Sequence, residues 1–253
     1  MLNRVEFGNH GALPALLIVH GLFGSARNWG AIARRMATDR KVVAVDMRNH
    51  GDSFWADSHT YADMAGDLAE VIENEGQAVD VVGHSMGGKA VMVLALTRPE
   101  LVNRLVVADI APVAYHHSNL HLVQAMQSLP LDGLATRQEA DAGLRAGVPD
   151  DGTRAFLLQS LDLKATPPRW RLNLDVLGRE MDKIVGWPDI TGNCDRQALF
   201  LAGSESGYVR SEHREIIKTL FPAARQAKIP GAGHWLHADK PREFEAALRA
   251  WLA

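Results

Sequence analysis

Four short, nearly unbroken apolar runs at 15–19, 41–45, 79–82 and 104–108 recur through the first half of this chain, with helical stretches between them. No other feature constrains the fold as strongly. A strand with one wetted face alternates apolar and polar residues, whereas a continuous Val, Ile and Leu run belongs to a strand buried on both faces of a parallel sheet. The intervening stretches supply the covers. Residues 29–37 form a short helix with Asn28 available as its cap, 61–75 set Met64, Leu68, Val71 and Ile72 at helical spacing, and 85–98 end at Pro99. Strand, helix, strand, helix implies right-handed crossovers and helices on both faces of the sheet.

The rhythm breaks after Asp109. From about 112 to 189 there are helical patterns punctuated by Pro130, Pro149, Pro167, Pro168 and Pro188, but no convincing buried strand. The alternation then resumes with strands at 197–202 and 225–229 and helices at 212–220 and 242–252. The expectation is a doubly wound α/β core of about eight strands, made of 1–111 and 190–253, interrupted by a helical cap at 112–189. Composition narrows the class. The 27 Lys and Arg against 30 Asp and Glu leave a net charge of −3, which offers no general attraction to nucleic acid or anionic lipid. No run approaches the roughly 20 apolar residues of a membrane span. The charged N-terminal residues do not read as a signal peptide. The single cysteine, Cys194, excludes an intrachain disulfide and suits a reducing compartment, with the cytoplasm as the default.

The chemistry concentrates in Gly83-His84-Ser85-Met86-Gly87, a Gly-x-Ser-x-Gly pattern directly after a buried strand and directly before a helix. That context is what a nucleophile elbow requires. A sharp strand-to-helix turn crowds the neighbours of Ser85, so glycine is needed there, and the hydroxyl is lifted above the sheet at a helix N-terminus. A serine hydroxyl needs a base. Among eleven histidines, His234 is the candidate, in Gly231-Ala232-Gly233-His234 just past the last strand and so at the same carboxyl edge as Ser85. His237 is the weaker alternative, and His84 should point away from the attacking face. An oxyanion hole takes two N–H donors. Met86 supplies one, and the Gly-rich loop His20-Gly21-Leu22-Phe23-Gly24 supplies the other, from Leu22 or, failing that, Phe23.

In this order, His20-Gly21, Asp46-Met47-Arg48-Asn49-His50-Gly51-Asp52-Ser53, the Ser85 elbow and Gly233-His234 resemble the α/β-hydrolase fold superfamily over nearly the whole chain. The Asp46–Ser53 stretch and Asp109-Ile110-Ala111-Pro112-Val113 look more narrowly like the YbfF-like esterases. The resemblance implies hydrolysis of carboxylic esters or acyl thioesters, with no metal or cofactor. It also frames the third member of the triad. In most of the superfamily the acid stands three residues after a glycine at the end of the 197–202 strand. Gly203 makes that position Ser206, which cannot hold a charge. Two carboxylates remain: Asp109, at the end of the strand after the elbow helix, and Glu205, one position off the expected one. Asp109 keeps the chain order Ser, Asp, His and is the assignment, with Glu205 as the alternative acid.

The expected chemistry is acyl transfer to Ser85 with His234 as general base, Asp109 holding its tautomer, and the Leu22 and Met86 N–H groups on the oxyanion. A dehalogenase or epoxide hydrolase would want an aspartate in place of Ser85. Carbon–carbon bond hydrolases, cofactor-free haloperoxidases and a ligand-binding protein on the same scaffold share the triad pattern. His116, His117 and His121 read as a polar start to the cap rather than a metal site, since no carboxylate or cysteine completes them. Arg48, Asn49, His50 and Asp52 are expected to form a hydrogen-bonded loop beside the pocket, and Lys89 to be a surface or salt-bridging residue.

Overall fold

The computed structural model describes all 253 residues. Its strands are β1 (Arg4–Phe7), β2 (Leu16–Val19), β3 (Val42–Val45), β4 (Val79–His84), β5 (Val102–Ala108), β6 (Leu161–Asp162), β7 (Arg169–Trp170), β8 (Gln197–Gly203) and β9 (Ala224–Ile229). Seven of them form one sheet in the order β1-β3-β2-β4-β5-β8-β9, one fewer than expected. All neighbours are parallel except β1, which runs antiparallel to β3. The sequence pattern does not reveal β1. It is an edge strand whose central residues Val5 and Glu6 are exposed, so no apolar run marks it.

The central strands β2 and β3 are buried at every residue, as their continuous apolar runs require. Their side chains divide by alternation. Leu17, Val19, Val43 and Val45 join a core of 53 residues that runs from one face into the 112–189 insertion, while Leu16, Ile18, Val42 and Ala44 join a core of 20 on the other face. Helices α2 (Tyr61–Glu73) and α3 (Met86–Thr97) cover the first face, together with α9 (Arg214–Leu220); α1 (Gly30–Met36), α10 (Leu236–Asp239) and α11 (Pro241–Leu252) cover the second. Thr60 starts α2 with a capping box, exchanging bonds with Asp63.

Between β5 and β8 the chain forms α4 (Leu120–Ser128), α5 (Arg137–Leu144), α6 (Asp151–Leu157), α7 (Leu174–Arg179) and α8 (Met181–Val185). It also holds the antiparallel pair β6–β7, which an expectation of helices alone lacks. Two-residue strands are too short for any period to show, and their contribution is the burial of Leu161 and Trp170. No helix is long and apolar enough to cross a membrane. Because β2, β4, β5, β8 and β9 are parallel, their carboxyl ends open on one edge, where His20, Ser85, Asp109, Gly203 and the Gly231–His234 loop all lie.

Candidate active site

Ser85 joins β4 to α3 with φ 54° and ψ −120°, a conformation that a non-glycine residue adopts only under constraint, at about 1–3 kcal/mol. The constraint is crowding. A Cβ on Gly83 would stand 2.5 Å from the Gly87 carbonyl oxygen, and one on Gly87 would stand 2.4 Å from that of His20. The turn is tied to the next strand by the Ser85 N–H, which donates to Ala108 O at 3.0 Å.

The Ser85 hydroxyl lies 3.0 Å from His234 Nε2, and His234 Nδ1 lies 2.7 Å from Asp109 Oδ2. Asp109 is fully buried at the end of β5, with φ 52°. Its Oδ1 accepts the Gly203 N–H at 3.0 Å, and its Oδ2 also accepts the Ser206 hydroxyl proton. Ser206, the position an acid usually takes, here donates to the acid from the neighbouring strand end. Glu205 is exposed, accepts a bond only from Ser204, and does not meet His234.

Across from His234, the N–H groups of Leu22 and Met86 have no acceptor in the protein, whereas the Phe23 N–H donates to His50 Nε2 at 3.1 Å. Of the two loop donors considered, Leu22 is therefore the one left free to meet a ligand. His50 can accept because its Nδ1–H donates to Arg48 O at 2.9 Å. His20 works the same way, with Nδ1–H on Gly21 O at 2.8 Å and Nε2 accepting from Met47 N–H at 2.9 Å. Burial lowers the pKa of both rings, well below the ordinary value for His50, and keeps them neutral acceptors.

The Arg48–Asp52 loop is hydrogen-bonded beside the pocket, as expected. It also anchors the insertion: Gly51 N–H donates to Arg171 O at 2.8 Å and Asn173 N–H to Asn49 O at 3.0 Å.

Ser85 stands between two cavities. The larger, about 280 Å³, is lined by His234, Trp235, Phe156, Leu122 and Phe23 among others; the smaller, about 30 Å³, lies on the side of Met86, Lys89 and Ile184. Residues 14–241 match the family described as alpha/beta hydrolase fold. The chain belongs to the alpha/beta hydrolase fold family. It is an enzyme of that family, among esterases and lipases. An Escherichia coli protein named esterase YbfF is 39% identical over 241 residues, 94% of this chain and 92% of that one. A mouse protein named sn-1-specific diacylglycerol lipase is 41% identical over 251 residues, 95% of this chain and 81% of that one. A solved marine microorganism esterase superposes with a TM-score of 0.93 at 36% identity, covering 99% of each chain.

Within this hydrolase several side chains depart from expectation or were not foreseen. Lys89 is not a surface residue. It is 1% exposed, donates from Nζ to Val185 O at 2.9 Å and to Gly186 O, and sits 4.8 Å above the centre of the Tyr115 ring. Burial pulls its pKa down to about 7. Its place on a helix buried along nearly its whole length, rather than its residue type, was the available signal. Tyr208, unremarked in the sequence, stacks on His234 with ring centres 4.0 Å apart, and its hydroxyl meets His117 Nε2 at 2.8 Å. His117 is thus turned toward the site, but with a tyrosine as partner. His84 donates its Nε2–H to His234 O at 2.8 Å and props the histidine loop from below. His237 stacks on Trp29, and burial lowers its pKa to about 4.

Proposed function

We propose that this hydrolase cleaves carboxylic esters through an acyl-enzyme on Ser85, with His234 as general base and Asp109 as the acid that orients it. What supports the reading is the unbroken line from Ser85 Oγ to His234 Nε2, 3.0 Å, and from His234 Nδ1 to Asp109 Oδ2, 2.7 Å. His234 takes the hydroxyl proton as Ser85 attacks the acyl carbonyl. The oxyanion forms between the Leu22 and Met86 N–H groups, the second at the N-terminus of α3, where the helix dipole adds to the pull. His234 then returns the proton to the departing alcohol, and water releases the acyl group by the reverse path. Asp109 holds the His234 ring in place and stabilises the imidazolium as it forms. An acyl thioester follows the same route, a thiolate being a better leaving group than an alkoxide.

The insertion at 112–189 acts as a cap on a core of 1–111 and 190–253. It contributes Leu122, Phe156 and Leu157 to the large cavity and so covers part of the reacting edge. The cytoplasm is the location that the lone buried Cys194 fits. The relatives' names, an esterase and a diacylglycerol lipase, support an ester as the bond cleaved. The experiment is Ser85→Ala. Hydrolysis of p-nitrophenyl acetate should fall at least about 10³-fold and labelling by a fluorophosphonate probe should vanish, with the unfolding transition retained. A Ser85→Ala enzyme of undiminished activity overturns the proposal.

A further inference from the structure

Resting on the serine-hydrolase reading above, the two cavities beside Ser85 divide the substrate. The leaving oxygen must come within hydrogen-bond reach of His234 Nε2, because that nitrogen returns the proton. His234 and Trp235 line the large cavity and are absent from the small one; Ser85 and Leu22 border both, whereas Met86, Lys89, Ile110 and Ile184 border only the small one. The alcohol therefore leaves through the large cavity, and the acyl chain lies in the small one. We infer that this hydrolase is selective for esters of short acids with bulky, uncharged alcohols.

The volumes set the limits. A water-sized group needs about 10–15 Å³ of such space, so the 30 Å³ pocket admits about two or three heavy atoms beyond the carbonyl. That accommodates an acetyl or propionyl group, whereas a fatty acyl chain would have to push its walls apart or run out through its mouth. The large cavity, about 280 Å³, has no Asp, Glu, Lys or Arg in its lining, and Phe156, Trp235 and Leu122 give it apolar walls. A charged leaving group would meet no opposite charge there.

The small pocket is also firmly held. Tyr61 Oη–H donates to Ile184 O at 2.5 Å, and Tyr115 Oη–H to Tyr208 O at 2.8 Å while accepting the Ala111 N–H at 2.9 Å. Lys89 Nζ pins the next carbonyl, Val185 O, at 2.9 Å. A wall fixed at three carbonyls does not retreat cheaply to admit a longer chain, since each freed polar group would be left unpaired. The fatty acyl chain of a diacylglycerol, the substrate in the mouse relative's name, would extend beyond this pocket.

The test varies one side of the ester at a time. The acyl series is the p-nitrophenyl acetate, propionate, butyrate, hexanoate and octanoate. The alcohol series is the butyl, hexyl and octyl acetates, whose leaving groups share one intrinsic reactivity. For the wild-type protein, kcat/KM should fall at least 100-fold from acetate or propionate to octanoate, and hold or rise from butyl to octyl acetate. Ile184→Ala, which removes a wall of the small pocket, should raise the hexanoate-to-acetate ratio at least tenfold. Octanoate turned over as well as acetate by the wild-type protein overturns the inference and leaves the serine-hydrolase reading intact. No turnover of either series, with Ser85 unlabelled by a fluorophosphonate, overturns that reading and the inference with it.

Discussion

Asp109→Asn tests the site most directly, because the surrounding donors dictate how the new side chain must sit. Gly203 N–H points at Oδ1 and can only donate, so the asparagine oxygen must take that position. The alternative leaves a buried N–H unpaired, at about 1–3 kcal/mol. The amide NH₂ then occupies the Oδ2 position, facing Ser206 Oγ and His234 Nδ1. A hydroxyl can reverse its bond and accept. His234 Nδ1 can accept only by giving up its proton, which moves the neutral ring to the tautomer with hydrogen on Nε2. That hydrogen points at Ser85 Oγ, 3.0 Å away, and the base becomes a donor. A wrong tautomer with intact geometry lowers kcat by about 10⁴, or about 5 kcal/mol of barrier. Since every bond is re-formed, the melting temperature should move by only a few degrees. The assay is kcat on p-nitrophenyl acetate beside a thermal melt, with Glu205→Gln alongside. Glu205 is exposed and away from His234, so its variant should stay within about twofold. An Asp109→Asn enzyme within tenfold of wild type, with the large loss in Glu205→Gln, would refute the reasoning.

Two further outcomes follow from the buried histidines. Burial lowers the pKa of His59 to about 3 and of His237 to about 4, so the unfolded chain, titrating near 6.5, binds their protons first as pH falls. Stability should thus drop below pH 6.5, by about 2 kcal/mol for each of these two rings at pH 5. His20, His50 and His84 are shifted in the same direction. A urea midpoint unchanged between pH 7.5 and pH 5 would contradict this. His50→Leu removes the acceptor of the Phe23 N–H and loosens the loop that carries Leu22. It should cost about 10–100-fold in kcat with little change in KM, as a displaced oxyanion donor acts in the transition state, and an unchanged kcat would count against the Leu22 assignment.

Much of this protein was legible in local pattern. Continuous apolar runs require burial on both faces, and that alone leads to parallel strands, crossover helices and a reactive carboxyl edge. The crowding at Gly83 and Gly87 is likewise a property of a few consecutive residues, so Ser85 stood out without a partner in view. What local pattern ranked without explaining, or missed, are choices made between distant segments. Asp109 rather than Glu205 meets His234 because β5 and β8 lie side by side and point Gly203 N–H and the Ser206 hydroxyl at one carboxylate. Leu22 rather than Phe23 keeps a free N–H because His50, 27 residues on, has claimed the other. Lys89 reads as a surface cation until the end of α8 arrives with two carbonyls to receive it. Strand β1 carries no apolar signal because at the sheet edge its stabilisation comes from backbone bonds to β3. Backbone sterics and apolar burial are written residue by residue, whereas hydrogen-bond partners and pocket walls are properties of the folded neighbourhood.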